Sequence, residues 1–436
     1  MAHVLDITDG TNTANLSTGG CYLLRFAPVP VNEATLIGAS SIEVMFHGSY
    51  PANTSSYKQA IERLFEAARR RASWGNGARV YLNFQQEASG VTQRAEVFDG
   101  SIEMVADSVH ENAQNYMGAV VKVSHGPWEG PRTEISITNS NGSGTGGLSI
   151  YNHDDGGAGH DNYATVLSSY VDGAIPAPVE IQIQNLSTSK QINSIHVAND
   201  IQPSGTVSAM LEGENGTATG GSSTVGSYSN GNTLSFTVNT ANTITWTLTA
   251  ATLQYLNGRN IRLLGKFEFS GTAYAKWWLE LSGVKVTPVT PEVALSNQNY
   301  FQDLGPLPLP PGGIIASDLA AMSLVISFRS TASVSMKCDF VQLTPSDDGV
   351  YRKLLMIQAN YTAAVGAVFV SNGTDDYHYV QYGGYKLPLV AARGNPLLVY
   401  PKRDQKLRFL LDGSGFSVDW NFQIQLFYRP RWCLPV

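Results

Sequence analysis

The sequence has little charge, and this shortage narrows the classes of protein to which it can belong. Charged residues make up 14% of the 436 residues, against a usual share of about 25%. Hydrophobic residues make up 43%, so the chain is too apolar to be disordered by composition. The net charge of −7 and the absence of a long basic run argue against sequence-specific binding of nucleic acid.

Cysteine and long apolar runs are also scarce. Cys21, Cys338 and Cys433 are far apart, and none belongs to a CxxC pair, so neither a zinc site nor a disulfide framework is indicated. No apolar run approaches the roughly 18 residues that a membrane span needs. The first residues, 1–6, lack a basic region followed by an apolar stretch, so no signal peptide is predicted.

One strong helix is predicted in a sequence that otherwise favours strands. Its apolar residues recur at helical spacing and would form one face: Tyr57, Ala60, Ile61, Leu64, Phe65 and Ala68. Ser56 and Gln59 have the pattern of a capping box at its start. Gly75 or Gly77 would end it. This helix must bury its apolar face on the neighbouring strands.

Residues 1–137 are therefore predicted to form a β-barrel or small sheet with one α-helix packed against it. Asp99-Gly100 is typical of a hairpin turn between two of its strands. Residues 138–147 (TNSNGSGTGG) are rich in Ser, Asn and Gly and predict a flexible linker.

The rest of the chain predicts two antiparallel β-sandwich domains of the jelly-roll type, residues 148–290 and 291–436. Many short alternating segments separated by turn residues support this division. The clearest is the last, in which Trp420, Phe422, Ile424, Leu426 and Tyr428 alternate with mostly polar residues. The fold class is thus mainly β, with a helix-bearing N-terminal domain and two sandwiches.

The densest polar cluster lies in the segment YNHDDGGAGHDNY and contains His153, Asp154, Asp155, His160 and Asp161. Carboxylates and carbonyls in a glycine-bent loop could bind Ca²⁺, and the two histidines with aspartate could suit a transition metal. The spacing matches no EF-hand or HExxH motif. The alternative is a polar loop whose Asp and Asn side chains form Asx turns. No other cofactor is predicted.

Aromatic residues provide a second candidate site, in which rings would stack on glycans: Trp277, Trp278, Tyr377, Tyr379, Tyr382 and Tyr385. Core packing and subunit contacts are the alternative. No GxSxG, P-loop or HExxH motif occurs. Glu180, Glu268 and Glu280 lie in strand-like runs, where an outward-facing strand residue explains them better than a glycosidase pair does. No enzymatic activity is predicted.

Several stretches resemble proteins of phage tails. The N-terminal segment resembles the distal-tail and tail-tube class in four stretches: Ser56–Trp74, Arg79–Asn83, Glu96–Glu103 and His125–Gly130. The two later segments resemble the β-sandwich modules of phage and prophage tail proteins in five stretches: Tyr151–Tyr163, Pro176–Val179, Asp303–Pro311, Asp339–Pro345 and Tyr428–Trp432.

The resemblance implies a structural virion protein at the distal end of a tail, in the tail tip or baseplate, that connects the tail tube to the tip. It implies a homo-oligomeric ring, hexameric or trimeric, with tube and tip or hub proteins as partners. Such a protein would be made in the host cytoplasm without a signal peptide. The family supplies no catalytic residues. The alternative is a host-surface carbohydrate-binding adhesin, or receptor-binding protein, whose sandwiches hold glycans.

Overall fold

The computed structural model describes most of the chain: residues 4–18, 21–47, 52–75, 77–85, 90–104, 116–151, 159–186, 192–201, 210–226, 228–249, 252–253, 256, 258–295, 301–308, 322–356, 366–388, 390–413 and 421–436. These residues form many antiparallel strands and one long α-helix, which confirms the predicted mainly β fold. The chain forms two compact units. Unit 1 comprises residues 1–133, 172–177 and 429–436, and unit 2 comprises residues 134–171 and 178–428.

Unit 1 begins with seven strands and the helix: β1 (Val4–Thr8), β2 (Thr13–Asn15), β3 (Cys21–Asn32), β4 (Ile37–His47), α1 (Ala52–Trp74), β5 (Val80–Gln85), β6 (Gln93–Met104) and β7 (Tyr116–Glu129). The strands form one antiparallel sheet in the order β2-β1-β5-β6-β7-β4-β3. The helix packs on the inner face of this sheet, mainly against β6.

The helix buries the face that the sequence predicted. Ile61, Leu64, Phe65 and Ala68 are each at most 3% exposed, and all belong to the core that the sheet forms. The predicted capping box is wrong, because α1 already begins at Ala52 and the proposed cap lies within it.

The end of the helix agrees with the glycine signal. Gly75 follows the last helical residue with a φ of +69°, which glycine adopts more easily than residues with a Cβ. Its N–H donates to the carbonyl of Arg71 at 2.8 Å. Gly75 is therefore the left-handed residue that closes the helix.

The predicted hairpin turn at Asp99-Gly100 is wrong, because both residues lie inside the single strand β6. A register shift marks a β-bulge between Val97 and Asp99. A Cβ at Gly100 would lie 2.3 Å from Cε1 of Phe65. Glycine is present here because the helix packs directly on the strand backbone, and a turn is not required to explain it.

Gly100→Ala is expected to lower the free energy of unfolding by about 1–3 kcal/mol, because its methyl group overlaps the buried ring of Phe65. Phe65→Leu replaces that ring with a smaller aliphatic side chain. The double variant should therefore be more stable than the sum of the two single losses predicts. Urea unfolding of the full chain measures all three. Strictly additive losses would show that the ring does not limit the space at Gly100.

Unit 2 contains most of the remaining strands: β8 (Thr133–Glu134), β9 (Ile137–Asn139), β10 (Gly142–Gly144), β11 (Leu148–Tyr151), β12 (Tyr163–Val166), β13 (Ala177–Asn185), β14 (Ile192–Ile201), β15 (Met210–Glu212), β16 (Thr217–Ala218), β17 (Ser222–Val225), β18 (Asn232–Val238), β19 (Ala241–Thr247), β20 (Asn260–Phe269), β21 (Ala273–Leu281), β22 (Val284–Lys285), β23 (Val293–Leu295), β24 (Phe301–Pro308), β25 (Met322–Arg329), β26 (Val334–Pro345), β27 (Tyr351–Met356), β28 (Val368–Asn372), β29 (Tyr377–Tyr382), β30 (Tyr385–Leu387), β31 (Val390–Arg393), β32 (Leu398–Val399), β33 (Gln405–Gly413) and β34 (Asn421–Tyr428). Short 3-10 turns lie at Ser168–Tyr170, Gly213–Asn215 and Ser229–Gly231. A last strand, β35 (Arg431–Trp432), pairs with β7 in unit 1.

Four sheets build unit 2. A 7-stranded sheet (β10-β9-β12-β33-β14-β27-β31) and an 8-stranded sheet (β11-β34-β13-β28-β29-β30, with β32 and β8 alongside) form what we call the outer sandwich. Arg352 of the first sheet reaches His378 of the second, at 3.0 Å. Two 6-stranded sheets, built from β15 to β26, share one core and form the inserted sandwich.

The two sandwiches are nested, which corrects the predicted tandem domains 148–290 and 291–436. The inserted sandwich lies between β14 and β27, two neighbouring strands of one outer sheet. The boundary predicted near Pro291 is wrong, because β23 returns to pair with β21. The predicted linker 138–147 contains most of the hairpin β9-β10. Its Gly and Asn residues form turns in a sheet and do not separate domains.

The C-terminal residues complete unit 1. Arg431 donates to Glu129 through Nε at 3.0 Å and Nη2 at 2.6 Å. Trp432 packs over Gly130, where an added Cβ would meet the indole at 3.1 Å. Unit 1 thus depends on residues from both ends of the chain. No helix in the described ranges is long and apolar enough to cross a membrane.

Candidate functional sites

Four long strands of unit 1 form what we call the arm, in the order β6-β7-β4-β3. Each pair is antiparallel, and β4 pairs with β7 from Gly38 to His47 without a break. Four is an even number, so the outer strands of the arm, β6 and β3, run in opposite directions. This matters because an edge that meets an oppositely directed edge can extend an antiparallel sheet.

β3 is the last strand of its sheet as far as the chain is described, and only part of its free edge is open. Pro28 and Pro30 lie in this strand, and proline has no N–H to offer a further strand. The N–H of Val31 already donates to the carbonyl of Cys433 at 3.0 Å. Among the described residues, the open stretch is therefore residues 23–27.

Two large side chains stand exposed in the first half of β3. Tyr22 is 48% exposed, and Leu24, at a β-bulge, is 59% exposed. Exposed apolar residues on an edge strand favour pairing with another chain. At the start of β3, burial raises the pKa of Cys21 to about 12. This thiol therefore stays protonated and unreactive at neutral pH. The sequence predicted the strand but not its edge position, for which the two prolines were the available signal.

β6 provides a second open edge. Its first half, residues 93–97, pairs with β5 on one side and β7 on the other. Its second half, residues 99–104, pairs within the described chain with β7 alone. Arg69 of the helix donates to the carbonyl of Gly100 at 3.1 Å. Residues 101–104 therefore form the open stretch of this edge.

Charges on the outer face of the arm are arranged in pairs. Arg25 lies 3.6 Å from Glu43, and Lys122 lies 3.2 Å from Glu103. All four side chains are well exposed, so solvent and salt screen these pairs and each adds little stability. Their main effect is that neither sign of charge dominates this face.

The predicted metal loop is only partly described. His153, Asp154 and Asp155 lie outside the described residues. The ring of His160 packs edge-on against Tyr151 at 4.6 Å. Asp161 is buried and accepts a hydrogen bond from the Ser140 N–H at 2.6 Å. Among the described residues, no three His, Cys, Asp or Glu side chains come together as metal ligands would.

Trp277 and Trp278 do not form the predicted glycan platform. Trp277 is fully buried in the core of the inserted sandwich, and its indole N–H donates to the carbonyl of Leu304 at 3.1 Å. Trp278 lies on the other face of its strand and is only 7% exposed. The ammonium of Lys285 lies 4.3 Å from its ring. Neither ring has a face free for a sugar.

The four tyrosines separate into two pairs on opposite faces of the hairpin β29-β30. Tyr377 and Tyr379 are two residues apart in β29, so they share one face, and their ring centroids are 5.3 Å apart. Tyr382 has the opposite parity and lies directly across from Tyr385. A turn of two glycines, Gly383-Gly384, joins this second pair, and both glycines have positive φ.

A buried guanidinium holds the start of β29. Arg352 donates through Nη2 to Asp376 and, at 3.0 Å, to Nε2 of His378. Burial lowers the pKa of His378 and the charge of Arg352 lowers it further, against the effect of Asp376. Burial acts to raise the pKa of Asp376, but the Arg352 hydrogen bond and charge outweigh it and lower the pKa. A neutral imidazole can accept the bond from Arg352.

Comparison with known proteins gives no match to a family model or to a curated protein sequence. Among solved structures, the Dit protein of phage SPP1 is 7% identical, with a TM-score of 0.31 over 98% of this chain and 99% of that one. The baseplate of phage P2 is 12% identical, with a TM-score of 0.25 over 47% of this chain and 74% of that one. An exo-β-1,3-galactanase from Phanerochaete chrysosporium is 12% identical, with a TM-score of 0.20 over 77% and 84% of the two chains. Likenesses of this size carry no argument about function.

Proposed function

We propose that this chain is a structural, non-enzymatic protein of a phage or phage-like tail that forms a ring through the arm of unit 1. The observation that carries the ring is the pair of edges that are open among the described residues, 23–27 of β3 and 101–104 of β6. The phage context comes from the sequence resemblance of the helix-bearing N-terminal segment to distal-tail and tail-tube proteins.

The two edges suit a head-to-tail contact between copies. They belong to different strands that run in opposite directions, so β3 of one copy can pair antiparallel with β6 of the next. The sheet then continues from copy to copy. A contact between two different surfaces closes into a ring when its rotation divides a full turn. Ring closure also leaves neither edge open to aggregation.

In a closed ring the arms of all copies would form one continuous β-barrel. The number of copies follows from the width that this barrel must have. Each copy contributes the four strands of the arm. With strands about 4.8 Å apart and tilted by about 40°, six copies give a barrel roughly 48 Å across, and three copies give roughly 24 Å. Barrels of about eight strands are filled by side chains, and 16–18 strands leave a water-filled channel. A hexamer is therefore favoured for a ring that continues a hollow tube.

The neighbours of such a ring would be tube proteins on one side and tip or hub proteins on the other, at the distal end of the tail.

A second candidate function is adhesion to host-surface glycans. It is supported by the exposed Tyr377 and the half-buried Tyr379 beside it on the outer sandwich.

Light scattering on the purified full chain tests the ring directly. The expected mass is about six times the 47.0 kDa chain, and negative-stain images should show rings with a central channel. Labelling the chain in assembled particles should place it at the tail end. A protein that stays strictly monomeric at tens of micromolar, or one found only on the capsid, would contradict the proposal.

A further inference from the structure

We propose that the outer face of the 8-stranded sheet binds an uncharged hexose polysaccharide, with Tyr377 and Tyr379 as the stacking residues. This inference rests on the second candidate function and names its ligand class. It does not depend on ring formation. The site lies on the outer sandwich, because the tryptophans of the inserted sandwich are buried.

The face is defined by strand alternation. In β34, Phe422, Ile424 and Leu426 are fully buried, and the residues between them point to the other side of the sheet. β13 has the same pattern, with Ile181 and Ile183 buried. One side of this sheet therefore belongs to the core, and the other is a polar surface.

Amide side chains dominate the centre of this surface. Gln182 and Gln184 lie on β13, directly opposite Gln425 and Gln423 on β34. Each amide carries two N–H donors and an acceptor oxygen. Sugar hydroxyls both donate and accept hydrogen bonds, so a row of amides can match them without fixing the order of donors and acceptors.

The tyrosines lie beside the amides on the same face. Tyr379 pairs with Val370, which in the next pairing faces Gln182. Val370 is only 2% exposed, so a buried apolar side chain lies between the ring of Tyr379 and the amide of Gln182. Tyr377, 48% exposed, extends the aromatic surface. Phenol rings present flat apolar faces with a polar tip, which suits the C–H faces and hydroxyls of a pyranose.

The charges on this face favour an uncharged ligand. The carboxylate of Glu180 accepts a hydrogen bond from Gln182 at 2.7 Å. Glu134 accepts one from Gln425 at 3.0 Å. The ammonium of Lys386 lies 4.9 Å from the ring of Tyr379. Carboxylates would repel an acidic polymer, and the ammonium of Lys386 already has an aromatic partner.

The test is a binding assay with the full chain and defined polymers. The probes are laminarin, dextran and arabinogalactan as largely neutral polymers, and polygalacturonate as an acidic one. The wild-type chain is expected to bind at least one neutral polymer, with little change in 0.5 M NaCl, because no net charge is involved. Tyr377→Ala and Tyr379→Ala should each weaken this binding about tenfold.

Tyr385→Ala is the matched control. It removes a tyrosine that is 73% exposed on the opposite face of the same hairpin, and its binding should equal that of the wild type. Light scattering on each variant shows whether the ring forms, so loss of glycan binding and loss of assembly are distinguished. The proposal is overturned if no neutral polymer binds, if only polygalacturonate binds, or if Tyr385→Ala weakens binding as much as Tyr379→Ala does.

Discussion

Lys266→Met is expected to lower the free energy of unfolding by about 3–5 kcal/mol, because it leaves a carboxylate buried without its cation. Lys266 on β20 lies 3.2 Å from Asp339 on β26, and their side chains are 2% and 0% exposed. Asp339 occupies a β-bulge between these strands. Its Oδ1 also accepts the N–H of Ser229 at 2.8 Å.

The double variant Lys266→Met/Asp339→Asn is expected to recover most of this loss. Burial raises the pKa of Asp339, and Lys266 only partly offsets the effect. The ion pair therefore adds little net stability, and replacing both charges should cost little. Asparagine keeps an oxygen that can accept the N–H of Ser229. Asp339→Asn alone should be nearly as unstable as Lys266→Met, because a buried ammonium then loses its carboxylate.

The dependence on pH gives a further check on Lys266→Met. A carboxyl with a raised pKa in the folded chain binds its proton more tightly there than in the unfolded chain. Its protonation therefore stabilises the fold at acid pH, and this stability is lost as pH rises through the raised pKa. Removing the charge of Lys266 raises the pKa of Asp339 further. The deficit of Lys266→Met should therefore grow as the pH rises above the wild-type pKa of Asp339, and the double variant should lack this dependence. Urea unfolding between pH 4 and 8 measures the stability of the wild type, the two single variants and the double variant. Equal stability of all four would contradict this expectation.

Features set by neighbouring residues were predicted correctly. The helix face is one example, because helical periodicity depends only on residues three and four apart. The alternating run at the C-terminal end of the sequence is another, and its residues from Asn421 to Tyr428 form β34.

Features set by distant pairing were not predicted. Asp99-Gly100 has the composition of a turn. However, glycine is needed there because its missing side chain leaves room for the ring of Phe65, about thirty-five residues earlier in the sequence. The segment 138–147 has the composition of a linker, but its turns belong to a sheet. Local composition specifies a turn without specifying what lies on either side of it. The nesting of one sandwich within another leaves no local signal at all.

The candidate sites show the same difference between features set by neighbouring residues and features set by distant ones. The parity that separates Tyr379 from Tyr382 can be read from the sequence, since residues three apart in a strand face opposite sides. The burial of Trp277 cannot, because it depends on the facing sheet. The open edge of β3 depends on which strand is last in the sheet, and the C-terminal tail that covers Val31 comes from the other end of the chain.

Leu24→Lys and Ser101→Lys are each expected to convert the ring into monomers. Leu24 lies on the open edge of β3, and Ser101 lies on the open edge of β6. A lysine on an edge strand disfavours the addition of a further strand. Val284→Lys is the matched control, because Val284 is 68% exposed on β22 of the inserted sandwich. That variant should keep the mass of the wild type, and thermal unfolding should show that all three variants are folded.

Mixing the two edge variants tests whether the contact joins different edges. Leu24→Lys keeps an intact β6 edge, and Ser101→Lys keeps an intact β3 edge. An equal mixture should therefore form one good contact and stop at a dimer, because both remaining edges carry lysine. If two β3 edges paired with each other, Leu24→Lys would be monomeric, Ser101→Lys would stay dimeric, and mixing would create no new species. Light scattering on the three samples separates these arrangements, because only the head-to-tail contact predicts a dimer that exists in the mixture alone.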